Sequence, residues 1–220
     1  NTGNGIEITG AGADGNMLIS NFIGTDRFVT VAVPNGGAGG GVHLTSGADN
    51  TAIGNTGSGH NLISGNTSHG ISIDASSNGT LIQNNFVGVD SAGASPVGNG
   101  GGSGGTGGGV RVSGSTGTTI GSTSPGVENV LSGNGRGVIL DGATNSIVQG
   151  NFIGTDSIGG SARPNGIGVQ LVNGSTGTII GGTAAGSRNF ISGNTVDGIS
   201  IQNSSNTTID GKFIGTNNQG

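Results

Sequence analysis

The chain has 220 residues and a formal net charge of −5, and its 53 glycines lack the Gly-X-Y period of collagen. Only six residues are Lys or Arg, so no basic stripe can neutralise phosphates, which excludes nucleic acid and anionic membranes as expected partners. No apolar run approaches the roughly 18 residues that span a bilayer, and the absence of Cys excludes disulfides and thiolate metal sites.

The first element that the sequence predicts is a short strand that opens with Gly. In its first copy Ile6 and Ile8 flank Glu7, and this period of two is typical of a strand with one buried face. The seven copies are GIEI at 5–8, GVHL at 41–44, GISI at 70–73, GVRV at 109–112, GVIL at 137–140, GVQL at 168–171 and GISI at 198–201. Such repetition indicates a solenoid, in which each repeat buries its apolar face against its neighbours.

A second and a third strand-like segment follow every copy of the first. The second reads MLI at 17–19, TAI at 51–53, TLI at 80–82, TTI at 118–120, SIV at 146–148, TII at 178–180 and TTI at 207–209. The third reads NFIGTD at 21–26, NLISGN at 61–66, NFVGVD at 85–90, NVLSGN at 129–134, NFIGTD at 151–156, NFISGN at 189–194 and KFIGTN at 212–217. Three short strands per turn and no helical period predict an all-β solenoid of about seven coils.

Stacking of the coils should place like residues in ladders along an apolar interior. With strands about 4.8 Å apart, six steps give a rod on the order of 29 Å long. The predicted inner ladders are Ile19, Ile53, Ile82, Ile120, Val148, Ile180 and Ile209, and Ile23, Ile63, Val87, Leu131, Ile153, Ile191 and Ile214. Asn66, Asn134 and Asn194 take equivalent corners, where stacked Asn side chains can hydrogen-bond along the rod.

The repeated NFIGTD, the following Gly/Asn-rich loop, the GV-x-L segment and the stretch TIIGGTAAGSRNFISGN at 178–194 resemble right-handed parallel β-helix repeat proteins. They resemble in particular the long secreted or surface bacterial proteins that are built from repeated NFIGTD and NxISGN two-coil units. The resemblance covers essentially the whole chain and implies a right-handed parallel β-helix. The chain departs from it in two long inserts, 27–40 and 91–108, and in Lys212, which replaces Asn.

The pattern predicts one domain, because the repeats run from residue 1 to residue 220 as a single parallel β-helix. The sequence starts and stops inside its own pattern, so we expect a fragment of a longer repeat protein, with neighbouring coils of the same chain as partners. A charge-poor composition rich in Gly, Asn, Ser and Thr favours an extracellular or cell-surface location.

The outer side of the first strand carries the candidate catalytic residues Asp74, Arg111, Asp141 and His43. The two predicted outward rows are Glu7, His43, Ser72, Arg111, Ile139, Gln170 and Ser200, and beside them Asp74, Ser113 and Asp141. The two Asp carboxylates should lie about 9.6 Å apart, near the ~6.5–9.5 Å separation of inverting glycosidase pairs. Parallel β-helix lyases and glycosidases use such a face, and the alternative is that Arg111 bridges two carboxylates on a solvated surface.

Asp26, Asp90 and Asp156 close three of the four NFIGTD-type segments. Each Asp can accept backbone N–H bonds where the third strand turns into its loop. A Ca²⁺ ion is the alternative, because carboxylate oxygens are the hard ligands that it prefers. No other cofactor is predicted.

His69 and the aromatic residues bear on whether the chain has a sugar site. SHGISI around His69 resembles the His-Gly motif of polygalacturonases, but the chain lacks the Asn-Thr-Asp, Asp-Asp and Arg-Ile-Lys motifs of those enzymes. Phe22, Phe86, Phe152, Phe190 and Phe213 share one repeat position, which predicts a structural role, and the chain has no Trp or Tyr to form a sugar platform.

These observations predict a non-catalytic, rigid repeat segment that serves as a spacer, an adhesive stalk or an envelope component. The alternative is a carbohydrate-active domain, either a polysaccharide lyase, a glycosidase or a polysaccharide-binding module, with a plant or microbial glycan as its partner.

Overall fold

The computed structural model describes residues 1–28, 31–57, 59–74 and 76–216 of the chain. Successive strands of this part join three parallel sheets in turn, so that every three strands complete one coil and each sheet has seven strands. This is the seven-coil parallel β-helix that the repeats predict, with the right-handed turn that parallel crossover connections take. Val29 and Thr30 of the insert at 27–40, and Asn217 of the last repeat, lie outside the described residues.

The first sheet holds the longest strands. They are β1 (Ile6–Thr9), β4 (Val42–Thr45), β7 (Ile71–Ile73), β10 (Gly108–Ser113), β13 (Arg136–Asp141), β16 (Ile167–Val172) and β19 (Asp197–Ile201). The second sheet contains β2 (Met17–Leu18), β5 (Ala52–Ile53), β8 (Leu81–Ile82), β11 (Thr119–Gly121), β14 (Ile147–Gln149), β17 (Ile179–Gly181) and β20 (Thr208–Asp210).

The third sheet contains β3 (Phe22–Ile23), β6 (Asn61–Ile63), β9 (Asn85–Val87), β12 (Asn129–Leu131), β15 (Asn151–Ile153), β18 (Phe190–Ile191) and β21 (Phe213–Ile214). Single 3-10 turns at Gly102–Gly104 and Ala185–Ser187 complete the regular structure of the described residues. No helix in these residues is long and apolar enough to cross a membrane.

The inner ladder of the third sheet is confirmed in full. Its residues pair from Ile23 in the first coil to Ile214 in the last. In the middle of the rod these side chains are buried, as Leu131 and Ile153 are with no exposed surface. The interior is therefore a stack of aliphatic layers that each coil shares with its neighbours.

In the second sheet the predicted ladder is wrong at its first member, because Leu18 and not Ile19 pairs with Ile53. Leu18 is 7 % exposed and belongs to the core. It lies three residues before Asn21, and in the third and fifth coils the ladder residue also lies three positions before the equivalent Asn. Counting back from that Asn would have corrected the register, whereas the apolar run MLI alone could not.

Two ladders of Asn side chains run along the rod beside the aliphatic core. One contains Asn1, Asn35, Asn66, Asn99, Asn134, Asn165 and Asn194, and the other contains Asn21, Asn61, Asn85, Asn129, Asn151 and Asn189. In every step the Nδ2 of one coil donates to the Oδ1 of the next, over 2.8–3.5 Å. The predicted corners Asn66, Asn134 and Asn194 are thus three of the seven members of the first ladder.

Lys212 stands where the second ladder would continue in the seventh coil. Its neighbour Phe213 pairs with Phe190, so Lys212 lies opposite Asn189 and supplies no acceptor for it. The Nζ atom is buried without a hydrogen-bond partner among the described residues. The pKa of Lys212 lies below its ordinary value, because burial lowers it more than the nearby Asp210 carboxylate raises it.

Candidate functional site

The outer face of the first sheet carries the polar row that the sequence predicts. Glu7, His43, Ser72, Arg111, Ile139, Gln170 and Ser200 pair in that order, one per coil. The second row is also present, with Asp141 paired to Ser113 and Asp74 directly after β7. All four candidate catalytic residues therefore lie on one face of four successive strands.

Arg111 joins the two candidate carboxylates. Its Nη1 donates to Asp74 Oδ1 at 2.6 Å, and its Nη2 donates to Asp141 Oδ2 at 2.8 Å. The three side chains are about one quarter exposed, so the guanidinium and both carboxylates are partly shielded from solvent. A planar guanidinium between two carboxylates is a favourable charge-assisted arrangement and stronger than a fully solvated pair.

His43 extends the cluster toward the first coil. Its Nε2 lies 3.0 Å from Asp74 Oδ2, which also accepts the Ser72 hydroxyl at 2.9 Å. Its Nδ1 lies 3.3 Å from Asn4 Nδ2 and 3.9 Å from Glu7 Oε1. The imidazole is thus held from both sides and points along the rod.

Asp141 closes the cluster on the other side. Its Oδ1 accepts a hydrogen bond from Asn173 Nδ2 at 2.8 Å. Partial burial raises the pKa of Asp141, but the bonds from Asn173 and Arg111 outweigh it, and the pKa lies below its ordinary value. A general acid requires the opposite shift, toward neutral pH.

The chemistry of this cluster is that of an ion-pair network. All four carboxylate oxygens of Asp74 and Asp141 accept hydrogen bonds from side chains of the chain itself. Arg111 stands between the carboxylates, where a water or a sugar ring would have to lie in an inverting glycosidase. The sequence placed these residues on one face correctly but could not show that their polar atoms satisfy one another.

His69 lies beside this network. It is half-buried rather than fully exposed, and its Nδ1 accepts the backbone N–H of Gly108 at 2.8 Å. Burial lowers the pKa of His69 to about 4, with further lowering by Arg111 and His43 and an opposing effect of Asp74. The neutral ring therefore anchors the start of β10 at Gly108, where the insert at 91–108 ends.

Asp26, Asp90 and Asp156 accept backbone N–H bonds from their own loops. The donors are Val31 to Asp26, Ala92 and Ala94 to Asp90, and Ile158 and Gly160 to Asp156. Partial burial raises the pKa of Asp90 and of Asp156, but the backbone hydrogen bonds lower both to a net value below the ordinary one. Within the described residues, no three His, Asp or Glu side chains are arranged to hold a metal ion.

The outer face of the third sheet carries a row that the sequence interpretation did not treat as a site. Its members are Phe22, Leu62, Phe86, Val130, Phe152, Phe190 and Phe213, one per coil. Each directly precedes an inner-ladder residue, so alternation alone could have placed the rings outside. Leu62 and Val130 are nevertheless buried, whereas Phe22 is 54 % exposed.

Two neighbouring cavities open on this face. One, of about 230 Å³, is lined by Glu128, Phe152, Arg188, Phe190 and Phe213 together with residues 150–151 and 185–186, and we call it the aromatic groove. The other, of about 190 Å³, is lined by His60, Asn84, Phe86, Gly126, Val130 and Ser157, and it shares Glu128 and Phe152 with the first.

Comparison with known proteins identifies no relative of the chain. No protein-family profile matches the chain, and no curated protein sequence and no solved structure matches it.

Proposed function

We propose that the chain is a non-catalytic, rigid repeat segment of an extracellular or cell-surface bacterial protein, where it serves as a spacer, an adhesive stalk or an envelope component. The two Asn ladders carry this proposal, because they connect the coils through hydrogen bonds that are buried inside the stack and partly buried in its end steps. Buried, fully paired polar networks rigidify a structure and specify one register.

The outer face of the first sheet supports the same role. A catalytic carboxylate needs a free oxygen near the substrate and a pKa suited to proton transfer. Asp74 and Asp141 instead direct their oxygens to Arg111, His43 and Asn173. The network links successive coils from outside, as the Asn ladders do from inside, and the proposed role needs no cofactor.

The repeat pattern and the composition support the location. The alternation of NFIGTD-type and NxISGN segments resembles long secreted or surface bacterial repeat proteins, and low charge with abundant Gly, Asn, Ser and Thr fits that setting. In such a protein the neighbouring coils of the same chain, and other cell-surface components, would be the partners.

A distance measurement between spin labels tests the rigidity that a spacer requires. The chain has no Cys, so Met17→Cys and Thr208→Cys can carry labels on aligned outward positions of the first and last coils. We expect one narrow distance near 29 Å, from six steps of about 4.8 Å. The pair Met17→Cys and Ile179→Cys, one coil shorter, should give a distance shorter by about 5 Å. Broad distributions for both pairs would contradict the spacer role.

The second candidate function is a carbohydrate-active domain, and the convergence of His43, Asp74, Arg111 and Asp141 favours it over other enzyme classes. The test is release of reducing ends and of unsaturated products from pectin, alginate and xylan. We expect no turnover by the natural chain. Activity that disappears in the Asp74→Ala/Asp141→Ala variant, with unchanged circular dichroism, would establish the enzyme instead of the spacer.

A further inference from the structure

Asn4 lies directly before the first strand, and its side chain belongs to neither Asn ladder. It is one of seven Asn residues that Gly directly follows, and the others are Asn35, Asn78, Asn99, Asn134, Asn165 and Asn173. In such a pair the Gly backbone nitrogen can attack the side-chain amide carbon, because Gly has no Cβ to block the approach. The groups around each amide therefore decide whether the attack is assisted.

The amide oxygen of Asn4 lies against two backbone donors. Its Oδ1 accepts the N–H groups of Gly39 and Gly40, both at 3.1 Å, and both glycines are buried. A Cβ added at Gly37 would collide with this oxygen, so glycine at that position leaves the oxygen its place. Two N–H groups aimed at one carbonyl oxygen stabilise the negative charge that the oxygen acquires when a nucleophile attacks its carbon.

The amide nitrogen of Asn4 faces an imidazole. Its Nδ2 lies 3.3 Å from His43 Nδ1 and also donates to Glu7 Oε2 at 3.3 Å. On its other side the His43 ring contacts the Asp74 carboxylate through Nε2 at 3.0 Å, and the His43 side chain is only 16 % exposed. An imidazole exchanges protons near neutral pH, so a ring in this position can protonate a departing nitrogen.

The other six Asn–Gly pairs lack this combination within the described residues. None of their amide nitrogens contacts a His ring; those of the ladder members donate to Asn side chains, and that of Asn173 donates to a carboxylate at 2.8 Å. Asn173 is the best comparison, because it is exposed and, like Asn4, precedes a Gly whose N–H is hydrogen-bonded to a backbone carbonyl. The two nucleophiles are thus alike, and the sites differ in the donors and the imidazole around the amide.

We propose that Asn4 is a self-modification site, at which the chain converts its own side-chain amide to a carboxylate and releases ammonia. Gly5 N gives up its proton to solvent and bonds to Asn4 Cγ, while the two glycine N–H groups at Oδ1 hold the oxyanion. The Cγ–Nδ2 bond then breaks, and the protonated His43 ring supplies from Nδ1 the proton with which the nitrogen leaves as ammonia. Water opens the resulting five-membered imide to an Asp or an isoaspartyl residue, and solvent returns a proton to His43.

The reaction changes one residue once per chain, so it goes beyond the spacer role, does not depend on it and involves no turnover of a glycan. Its product replaces an amide donor by a second carboxylate beside Glu7. The isoaspartyl form also lengthens the backbone directly before β1. The first coil is thereby altered chemically without any added enzyme.

The test is peptide mass mapping of the natural chain during incubation near neutral pH, with ammonia release measured in parallel. Asn173 is the control site in the same molecule, and a sample in urea gives both rates without the fold. The variant His43→Gln keeps a polar side chain that cannot transfer a proton. His60→Gln is the matched control, because the His60 ring stacks on Phe86 at the outer face of the third sheet. Circular dichroism verifies the fold of both variants.

We expect the folded natural chain to lose ammonia at Asn4 about tenfold faster than at Asn173, and the two rates to become alike in urea. His43→Gln should slow the reaction at Asn4 about tenfold or more, because it removes the proton donor, and His60→Gln should leave it unchanged. The comparison of the two sites needs no variant, so it decides the proposal even where His43→Gln lowers stability. Equal rates at Asn4 and Asn173 in the folded chain, an unchanged Asn4 rate in folded His43→Gln, or chain cleavage after Asn4 instead of ammonia loss would each overturn the proposal.

Discussion

At the scale of single residues, the alternation of buried and exposed positions decides how much a side chain matters. Ile179 and Ile180 are neighbours in β17, yet Ile180 has no exposed surface and Ile179 is 40 % exposed. Both lose the same atoms and the same strand propensity on truncation to Ala. The pair therefore isolates the effect of burial.

We expect Ile180→Ala to lower the free energy of unfolding by roughly 2–5 kcal/mol, because it opens a cavity between coils that cannot collapse. Ile179→Ala should cost about 1 kcal/mol or less, because its side chain keeps contact with solvent. Urea unfolding of both variants measures the difference. Equal losses would contradict the facing of the second sheet.

Titrating residues predict two separate pH ranges in which stability falls. The pKa of His69 is about 4 in the folded chain against an ordinary 6.5, so the folded state binds fewer protons and loses stability as the pH falls from 6.5 to 4. The pKa values of Asp90 and Asp156 lie below 3.8, so their contribution is present above that value and is lost only in stronger acid.

The variants His69→Gln and Asp156→Asn separate these ranges in urea midpoints measured between pH 7 and pH 2. His69→Gln should flatten the pH dependence of the urea midpoint between pH 6.5 and 4, because Gln does not titrate. In the natural chain, protonation of the His69 ring removes the acceptor for the Gly108 N–H. Asp156→Asn should flatten it only below about pH 4. A His69→Gln profile parallel to that of the natural chain would show that the ring is not held neutral by its burial.

At the scale of elements, the Asn ladders determine how one coil fits the next. Asn129 makes four hydrogen bonds within the third sheet and its corner. It accepts the backbone N–H and the Nδ2 of Asn85, both at 3.0 Å, and donates to Ile82 O and Asn151 Oδ1, both at 2.9 Å. Its side chain is fully buried.

Asn129→Ala should lower the free energy of unfolding by about 3 kcal/mol or more, because buried donors and acceptors on three other residues lose their partner. The control is Asn16→Ala, at an exposed position where Nδ2 donates one bond to Ala13 O at 2.8 Å, and it should cost about 1 kcal/mol or less. Thermal unfolding by circular dichroism measures both, and a mild effect of Asn129→Ala would contradict the role of the ladders.

The ladders also show where sequence reasoning stops. Repetition and alternation were enough to predict the coils, the third-sheet core and the outward polar row, because both can be read directly from the order of residue types along the chain. Asn35, Asn99 and Asn165 were missed because they lie in the long loops, where repeat spacing varies. The contact of Arg111 with two carboxylates depends on side-chain conformation and not on spacing.

At the scale of the whole molecule, stability should vary along the rod. Repeats contact only their neighbours, so a coil with one neighbour is held less firmly than a coil with two. In the seventh coil Ile201, Ile209 and Ile214 are 41 %, 45 % and 48 % exposed, whereas the equivalent residues of the central coils have no exposed surface. The aliphatic layers are thus complete only inside the stack.

We expect native-state hydrogen exchange to be slowest in β10 to β15 and progressively faster toward β1 and β21, because local opening needs less free energy where fewer contacts are lost. The amides of Leu131 and Ile214, which occupy one ladder, form a matched pair for this comparison. Uniform protection from end to end would indicate that the seven coils open as one cooperative unit.

The Asn ladders have an electrical consequence. In every step the amide N–H of one coil faces the amide oxygen of the next, so the side-chain dipoles of both ladders point the same way. Aligned dipoles add, as peptide dipoles do in an α-helix. The rod therefore has a direction: its first coil presents amide oxygens and partial negative charge, and the far end of each ladder presents N–H groups and partial positive charge. A field applied in solution would turn such molecules to lie along it.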